Sequence, residues 1–357
     1  MTTLTKEHVM NCMFSKWYSQ FSDITIKSFI IPLPDDFVEY LQKDGPLILP
    51  KGADISIQSN FDDNENWSDE DETQNENEAP QFTALLEQIK EVLEKLNWKS
   101  FPKLNWSSPK DAIWITPNNS LKCNTPGDII LLMKSSDFIT YDLTSPFKLC
   151  TDDSIPDPQF QKELVLRKWA NLVPGMEFRC FVRNHKLIAA CQRHHQQYYE
   201  YVESQQQSLP VEICRFFQEK IQHKFNNSNY VVDIYKKRDG KFWIIDFNPW
   251  GSMTDSLLFT WEELNSFVQS QLTEEDCPII TPDGEPIGMF RFAKRDATMQ
   301  PSETLSYRMP QDFLDLSRGE DATKLVDFLR MKIQNENDDS SSDDDEPWQL
   351  PASNSNT

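Results

Sequence analysis

The chain has 357 residues, 38% of them hydrophobic, and a formal net charge of -22. It is too long for one minimal core and predicts two domains or one two-lobed domain, while its acidity excludes nonspecific nucleic-acid binding and favours a basic partner. Seven scattered cysteines without a CxxC exclude a zinc or disulfide framework, and the lack of a signal-peptide core or of roughly 18 consecutive apolar residues places the chain in the cytoplasm or nucleus, off the membrane.

In chain order, "ITIKSFIIPLP" (24 to 34) alternates as a strand, and Asp35 to Gln42 reads as a short helix. Residues 51 to 80 hold ten acids and one lysine. With so little apolar surface to offset chain entropy, they read as a disordered insert. "FTALLEQIKEVLEKLNW" then sets Phe82, Leu85, Leu86, Ile89, Val92, Leu93 and Leu96 at helical spacing, the clearest amphipathic helix in the chain. Ala112 to Thr116 and Phe138 to Tyr141 read as strands, with "DIILLMKSS" as a helix between them. "ELVLRKW", "MEFRCFVRN" and "KLIAACQR" are strand-like, and "PVEICRFFQEKIQHKF" is helical. "EDATKLVDFLRMKI" is a last amphipathic helix before a tail, 335 to 357, with seven acids and no base. The insert and tail together carry all but six of the net negative charges. Strands and helices mix without regular alternation, so the class is α+β. The first lobe is placed at 1 to 160, the second at 161 to 334 and the disordered acidic tail at 335 to 357.

"NYVVDIYKKRDGKFWIIDFNPWG" (229 to 251) reads as a hairpin. Asp239-Gly240 fits a two-residue type I′ turn, which opposes Tyr235 to Ile244, Ile234 to Ile245 and Asp233 to Asp246. The two aspartates are then cross-strand neighbours with Cβ atoms roughly 4.5 to 5.5 Å apart, and Asn248 points to the same face. Val232, Ile234, Trp243, Ile245 and Phe247 form the core face. A three-residue loop would shift the register by one and turn Asp233 to the opposite face. Like charges this close need compensation by a shared proton, a neighbouring Lys or Arg, or a cation. Two carboxylates and an amide oxygen suit Mg2+, which completes its octahedron with phosphate oxygens and water. The plain alternative pairs Asp233 with a base and leaves Asp246 and Asn248 to form turns before Pro249.

Residues 160 to 193 carry seven basic side chains, Lys162, Arg167, Lys168, Arg179, Arg183, Lys186 and Arg193, against Glu163 and Glu177. On an alternating strand Glu177, Arg179, Phe181 and Arg183 share a face, which either meets solvent or lines a site. With the aspartate pair, such a stripe describes the two ends of a polyphosphate. Lys103 and Lys134, each beside apolar residues, read either as snorkelling surface lysines or as phosphate ligands. None of the nine glycines falls in GxGxxG or GxxxxGK[ST] spacing, so phosphates would be held by side chains. Adjacent His194 and His195 point apart and no GxSxG occurs, which disfavours a nucleophilic triad.

"HVMNCMFSKWY", "FPKLNWSSPKDAIWI", "SSDFIT", "ELVLRKWANLVPGMEFRCFV", "VVDIYKKRDGKFWIIDFNPWG" and "DSLLFTWEEL" closely resemble the eukaryotic cell division cycle protein 123 family, from about residue 8 to 330 apart from the insert. The resemblance implies an ATP-grasp fold, two lobes clasping ATP and Mg2+, in a cytoplasmic, monomeric assembly chaperone that is not an enzyme. Its implied partner is the gamma subunit of eukaryotic translation initiation factor 2, which the alpha subunit can then join, supporting translation initiation and cell-cycle progression. The resemblance assigns Asp233, Asp246 and Asn248 to Mg2+, the two aspartates also to ATP, and Lys103 and Lys134 to phosphates. It lays Arg167, Lys168 and Trp169 along adenine, and turns Glu177, Arg179 and Arg193 to ribose or phosphate. The glycine-rich flap of ATP-grasp ligases has no match, which favours bound over consumed ATP. The alternatives are a ligase forming an acyl-phosphate on a carboxylate substrate, and an acidic scaffold whose aspartates bind nothing. Phe14, Trp17 and Tyr18 read as aromatic anchors for the partner or as plain core, and Asp312 and Asp315 as its acidic contacts.

Overall fold

Two sheets and the helices that cover them make up the computed structural model, which describes residues 3–43, 45, 47–55, 79–116, 119–268, 277–281 and 283–295. Residues 56 to 78 of the expected insert, the helix at 320 to 333, the tail, Asp312 and Asp315 lie outside the described residues. Two short helices, α1 (Lys6–Asn11) and α2 (Phe14–Phe21), open the chain. Strands β1 (Ser28–Pro32), β2 (Ser100–Lys103) and β3 (Glu163–Lys168) form an antiparallel sheet in the order β1-β3-β2. Strand β3, which a boundary at 160 assigns to the second lobe, thus pairs with the first two strands, and the division between the sheets falls after Lys168.

Helices α3 (Asp35–Gln42), α4 (Thr83–Lys95), α5 (Pro126–Lys134) and α6 (Asp137–Thr144) pack around this sheet. The helical spacing in α4 buries Leu85, Leu86, Ile89, Val92 and Leu93 in one core with Ile31, Leu164 and Leu166, each such side chain contributing about 1.5–3 kcal/mol. Two short expected strands are absent here. Phe138 to Tyr141 lies in α6, because Ser136 caps it by accepting from Ile139 N while Asp111 accepts from the N–H groups of Asp137 and Phe138. Caps of this kind satisfy orphan donors and outweigh the strand preference of four apolar or β-branched residues. Ala112 to Thr116 falls largely in a 3-10 turn, Lys110–Ile115.

The second sheet runs β7-β6-β4-β5-β9-β8, with β4 (Glu177–Arg183), β5 (Lys186–Gln192), β6 (Tyr230–Lys236), β7 (Phe242–Pro249), β8 (Cys277–Ile280) and β9 (Pro286–Arg291). Among the described strands of this sheet only β5 and β9 pair in parallel. A short helix α7 (Glu200–Glu203) precedes α8 (Ser208–Phe216), which packs with α2 on one face of the sheet; α9 (Trp261–Ser266) covers the other. Phe14 and Trp17 are 0% and 1% exposed and belong to that core, with Trp17 set edge-on against Phe247 at 5.2 Å. They are core residues rather than surface anchors. Tyr18 bridges to β1, its hydroxyl donating to Ser28 O and accepting from Ser28 N. Among the described residues no helix is long and apolar enough to cross a membrane. The class is α+β.

Candidate functional site

The hairpin places its aspartates as expected, by a route the sequence reading did not foresee. Lys237 N donates to Lys241 O and Gly240 N to Lys237 O, so the loop is the three residues Arg238, Asp239 and Gly240. Gly240, at φ +79, takes the left-handed position that closes such a loop. The register next to the turn is therefore shifted by one: Tyr235 faces Trp243 and Ile234 faces Ile244. A bulge between Asp233 and Ile234 then inserts one extra residue, Ile245, and returns Asp233 to a position opposite Asp246. The shift also exchanges the core residues of β7. Phe242 and Ile244 are buried where Trp243 and Ile245 were expected, and those two are half-buried.

This bulge is where the two sheets meet. Ile244 O accepts from Thr25 Oγ1 at 2.6 Å, and Ile245 O accepts from Arg167 Nη1 at 2.7 Å. The next residue, Asp246, accepts from Lys103 Nζ of β2 at 2.7 Å. An irregular backbone frees polar groups from the ladder, and here they are spent on joining the lobes.

The repulsion between the aspartates is met by cations from different strands. Arg179, directly across from Asp233 on β4, grips it with two bonds of 2.8 Å, and Arg193 adds a third contact at 3.2 Å. Burial is the largest single influence on Asp233 and would raise its pKa, but the two guanidiniums outweigh it and hold the carboxyl far below its usual range. Lys103 is 2% exposed, and burial pulls its pKa down against the attraction of Asp246. Glu177 is half-buried, 3.6 Å from His194, and its pKa is lowered: burial opposes this, and His194 and Arg193 outweigh it.

The remaining candidates divide. Arg167 is an interior residue, lying over the rings of Phe14 and Phe101 at 5.2 and 5.4 Å and donating to Thr25 Oγ1, with burial pushing it down to about 10. Lys168 is exposed, and the Trp169 indole donates to Asn171 Oδ1 while meeting Phe101 edge-on. Lys134 is committed elsewhere: its ammonium donates to the carbonyls of Tyr40, Leu41 and Lys43 at the C-terminal end of α3, where a cation complements the helix dipole.

Two residues escaped the sequence reading. Lys110 lies exposed among Arg193, Asp233, Glu177 and Arg179, and is pushed down to about 8, chiefly by Arg193. The only signal for it was its place in the same run, "FPKLNWSSPKDAIWI", as Lys103. Asp142 holds the loop after Lys103, accepting from Ser107 N, Ser107 Oγ and Trp106 N.

Asn248 Nδ2 is buried with no partner, and since amide oxygen and nitrogen exchange places on a flip, the group offers an unused oxygen beside Asp246. Asp246 Oδ1 accepts from the Phe247 N–H at 3.2 Å. Asp233 is more heavily engaged, although a carboxylate has about four lone-pair sites. No group of three or more His, Cys, Asp or Glu ligands occurs among the described residues. Asp246, the Asn248 amide and a share of Asp233 are thus the protein donors that a cation would find here, and phosphate and water would have to complete its shell, as is the habit of Mg2+.

Comparison with known proteins gives consistent findings. The D123 family model matches residues 17–317. The chain is 47% identical over 348 residues to the translation initiation factor eIF2 assembly protein of Xenopus tropicalis, covering 94% of this chain and 100% of that protein. It is 38% identical to cell division cycle protein 123 of Yarrowia lipolytica, with 92% and 84% covered. The solved structure of Cdc123 from Schizosaccharomyces pombe is similar with a TM-score of 0.62 at 35% identity, over 76% of this chain and 97% of that one.

Proposed function

The chain belongs to the D123 family, with the cell division cycle protein 123 relatives, and from that membership we propose that it assists assembly of eIF2, holding ATP and Mg2+ between its sheets while binding the factor's gamma subunit. The observation that carries the nucleotide part is the charge of the cleft. In a chain of net charge -22, Lys103, Lys110, Arg179 and Arg193 converge on two opposed aspartates. Cations gathered this closely, with Lys103 and Arg179 buried, are costly unless anions share the space.

Mg2+ would be held by Asp246 and Asn248, with Asp233 sharing, and would neutralise phosphate charge. Lys103, Lys110 and Arg193 would take phosphate oxygens; Arg193 meets Asp233 through Nε and keeps the rest of its five donors for a second anion. Arg179 would act by fixing Asp233. Lys168 and Trp169 would border adenine and Glu177 the ribose, in the two-lobed manner of an ATP-grasp protein. Lys134 is left out of this set because it caps α3. ATP acts here as a bound ligand of an assembly chaperone, and Asp312 and Asp315 as contacts for the gamma subunit.

Thermal unfolding of the full chain tests the cleft. ATP with Mg2+ is expected to raise the midpoint well above ATP with EDTA, a ligand at 100 times its Kd adding about 2.7 kcal/mol; equal shifts would remove the metal. Affinity capture tests the partner. The gamma subunit should be retained with the chain and lost or weakened in Asp315→Lys without change in ATP binding. Its absence from every capture, with or without nucleotide, would overturn the assembly role.

A further inference from the structure

At the end of β4 away from Glu177, a pair of imidazoles stands outside the cleft. Arg183 and Lys186 are opposed, so Asn184 and His185 form a two-residue loop, with φ of 51 and 59. Such loops favour glycine at the second position, where a side chain strains the backbone; this one carries histidine. His223, on a separate segment, is also left-handed at φ 61. It follows a π-helical turn, Phe217–Ile221, a kind of irregularity that frequently marks functional positions. Strained backbone thus meets strained backbone at two histidines.

The segments are fastened to each other. Gln222 Nε2 donates to His185 O at 3.0 Å, and His185 N donates to Ser228 O at 2.8 Å. The two rings lie 5.0 Å apart between centroids, with planes at 38°. His185 Nδ1 is buried and has no hydrogen-bond partner, while His223 is exposed.

We propose that His185 and His223 together bind one divalent transition-metal cation of the zinc class, with water in the remaining positions. Two imidazoles on one tetrahedral ion, at metal–nitrogen bonds of about 2.0–2.1 Å, have ring centroids roughly 5 Å apart, the spacing found here. A buried imidazole nitrogen without a partner is expensive to leave unmade, and imidazole is the donor that borderline cations select. Hard Mg2+ prefers oxygen, so this site is chemically distinct from Asp246 and Asn248. The ion would pin the β4–β5 turn to the segment after the π-helical turn.

The full-length chain, stripped with chelator and kept in excess Mg2+ so that carboxylates are occupied, is titrated with Zn2+ by calorimetry. One Zn2+ per chain is expected, bound at least about tenfold more weakly by His185→Asn and by His223→Asn, since each variant loses the chelate advantage. Asparagine tolerates the left-handed backbone, so both variants keep the fold. The double variant His194→Asn, His195→Asn should bind as the parent does. Absence of saturable binding in the parent, unchanged affinity in either single variant, or equal loss in the His194 and His195 variant would overturn the proposal.

Discussion

Asp233 and Asp142 are both withdrawn from water, 3% and 5% exposed, yet they stand in opposite electrostatic states. Asp233 is gripped by Arg179 and Arg193 and stays ionised far below the usual carboxylate range. Asp142, at the corner between α6 and the loop after β2, accepts three bonds from neutral groups of Trp106 and Ser107, and burial pushes it up to about 6. Neutral donors compensate a buried charge less than a guanidinium does. Burial is the largest influence on both aspartates, and the partner decides which way each one titrates.

The strongest way to break this contrast is Arg179→Met, which leaves Asp233 buried with the single contact from Arg193 at 3.2 Å. A loss of about 3–5 kcal/mol is expected in urea unfolding at neutral pH, and Asp233→Asn in the same chain should recover most of it. The sign follows from the depressed pKa. This stabilisation is complete above the unfolded value of about 3.9 and is withdrawn as pH falls through the lower folded value, so parent and variant should converge in strong acid. A loss that persists unchanged below pH 3 would show that packing, not charge, was removed.

Asp246→Ala is expected to act in the same direction but less, by about 1–3 kcal/mol, because it strands the buried Lys103 ammonium while Asp246 itself is partly exposed. Were Asp246 only a repelling neighbour of Asp233, the variant would instead be more stable. The same protein should lose the Mg2+-dependent part of its thermal shift with ATP.

Asp142→Asn should have the smallest effect and the opposite sign. A folded pKa of about 6 lies above the unfolded value, so the ionised parent loses stability as pH rises from about 4 through 6. The neutral amide can meet the same three partners and should add about 1–2 kcal/mol at pH 7, a gain that fades toward pH 4. A destabilised variant at pH 7 would mean that the carboxylate charge is itself matched, and Lys103 would be the group to examine.

Much of the fold was legible because its signals are local. Helical spacing fixed α4, short apolar runs marked β3 to β5, and the sequence marked the hairpin through Asp239-Gly240 and the two apolar runs. The short strand expected at Phe138 failed because caps supplied from outside the run, by Ser136 and Asp111, outweighed side-chain preference, and the one expected at Ala112 falls in a 3-10 turn. The opposition of Asp233 to Asp246 was read correctly through an incorrect turn. A three-residue loop and a bulge each displace the register by one, and the two displacements cancel at the aspartates while leaving Ile244 buried in place of Ile245.

The sequence by itself determined most of the elements, the paired aspartates and the basic island, since side-chain periodicity and turn chemistry act over a few residues. Only the tertiary structure decided which cation meets which acid. Lys103 reaches Asp246 across 143 positions of chain, and Arg179 reaches Asp233 across 54, while Lys134, equally suggestive in sequence, turns to the carbonyls of α3. Side-chain spacing states which face of a strand a charge occupies. What stands opposite that face is set by strand pairing within the second sheet for Arg179 and Asp233, and by how the two sheets pack for Lys103 and Asp246, where the bulge at Ile244 and Ile245 is the joint.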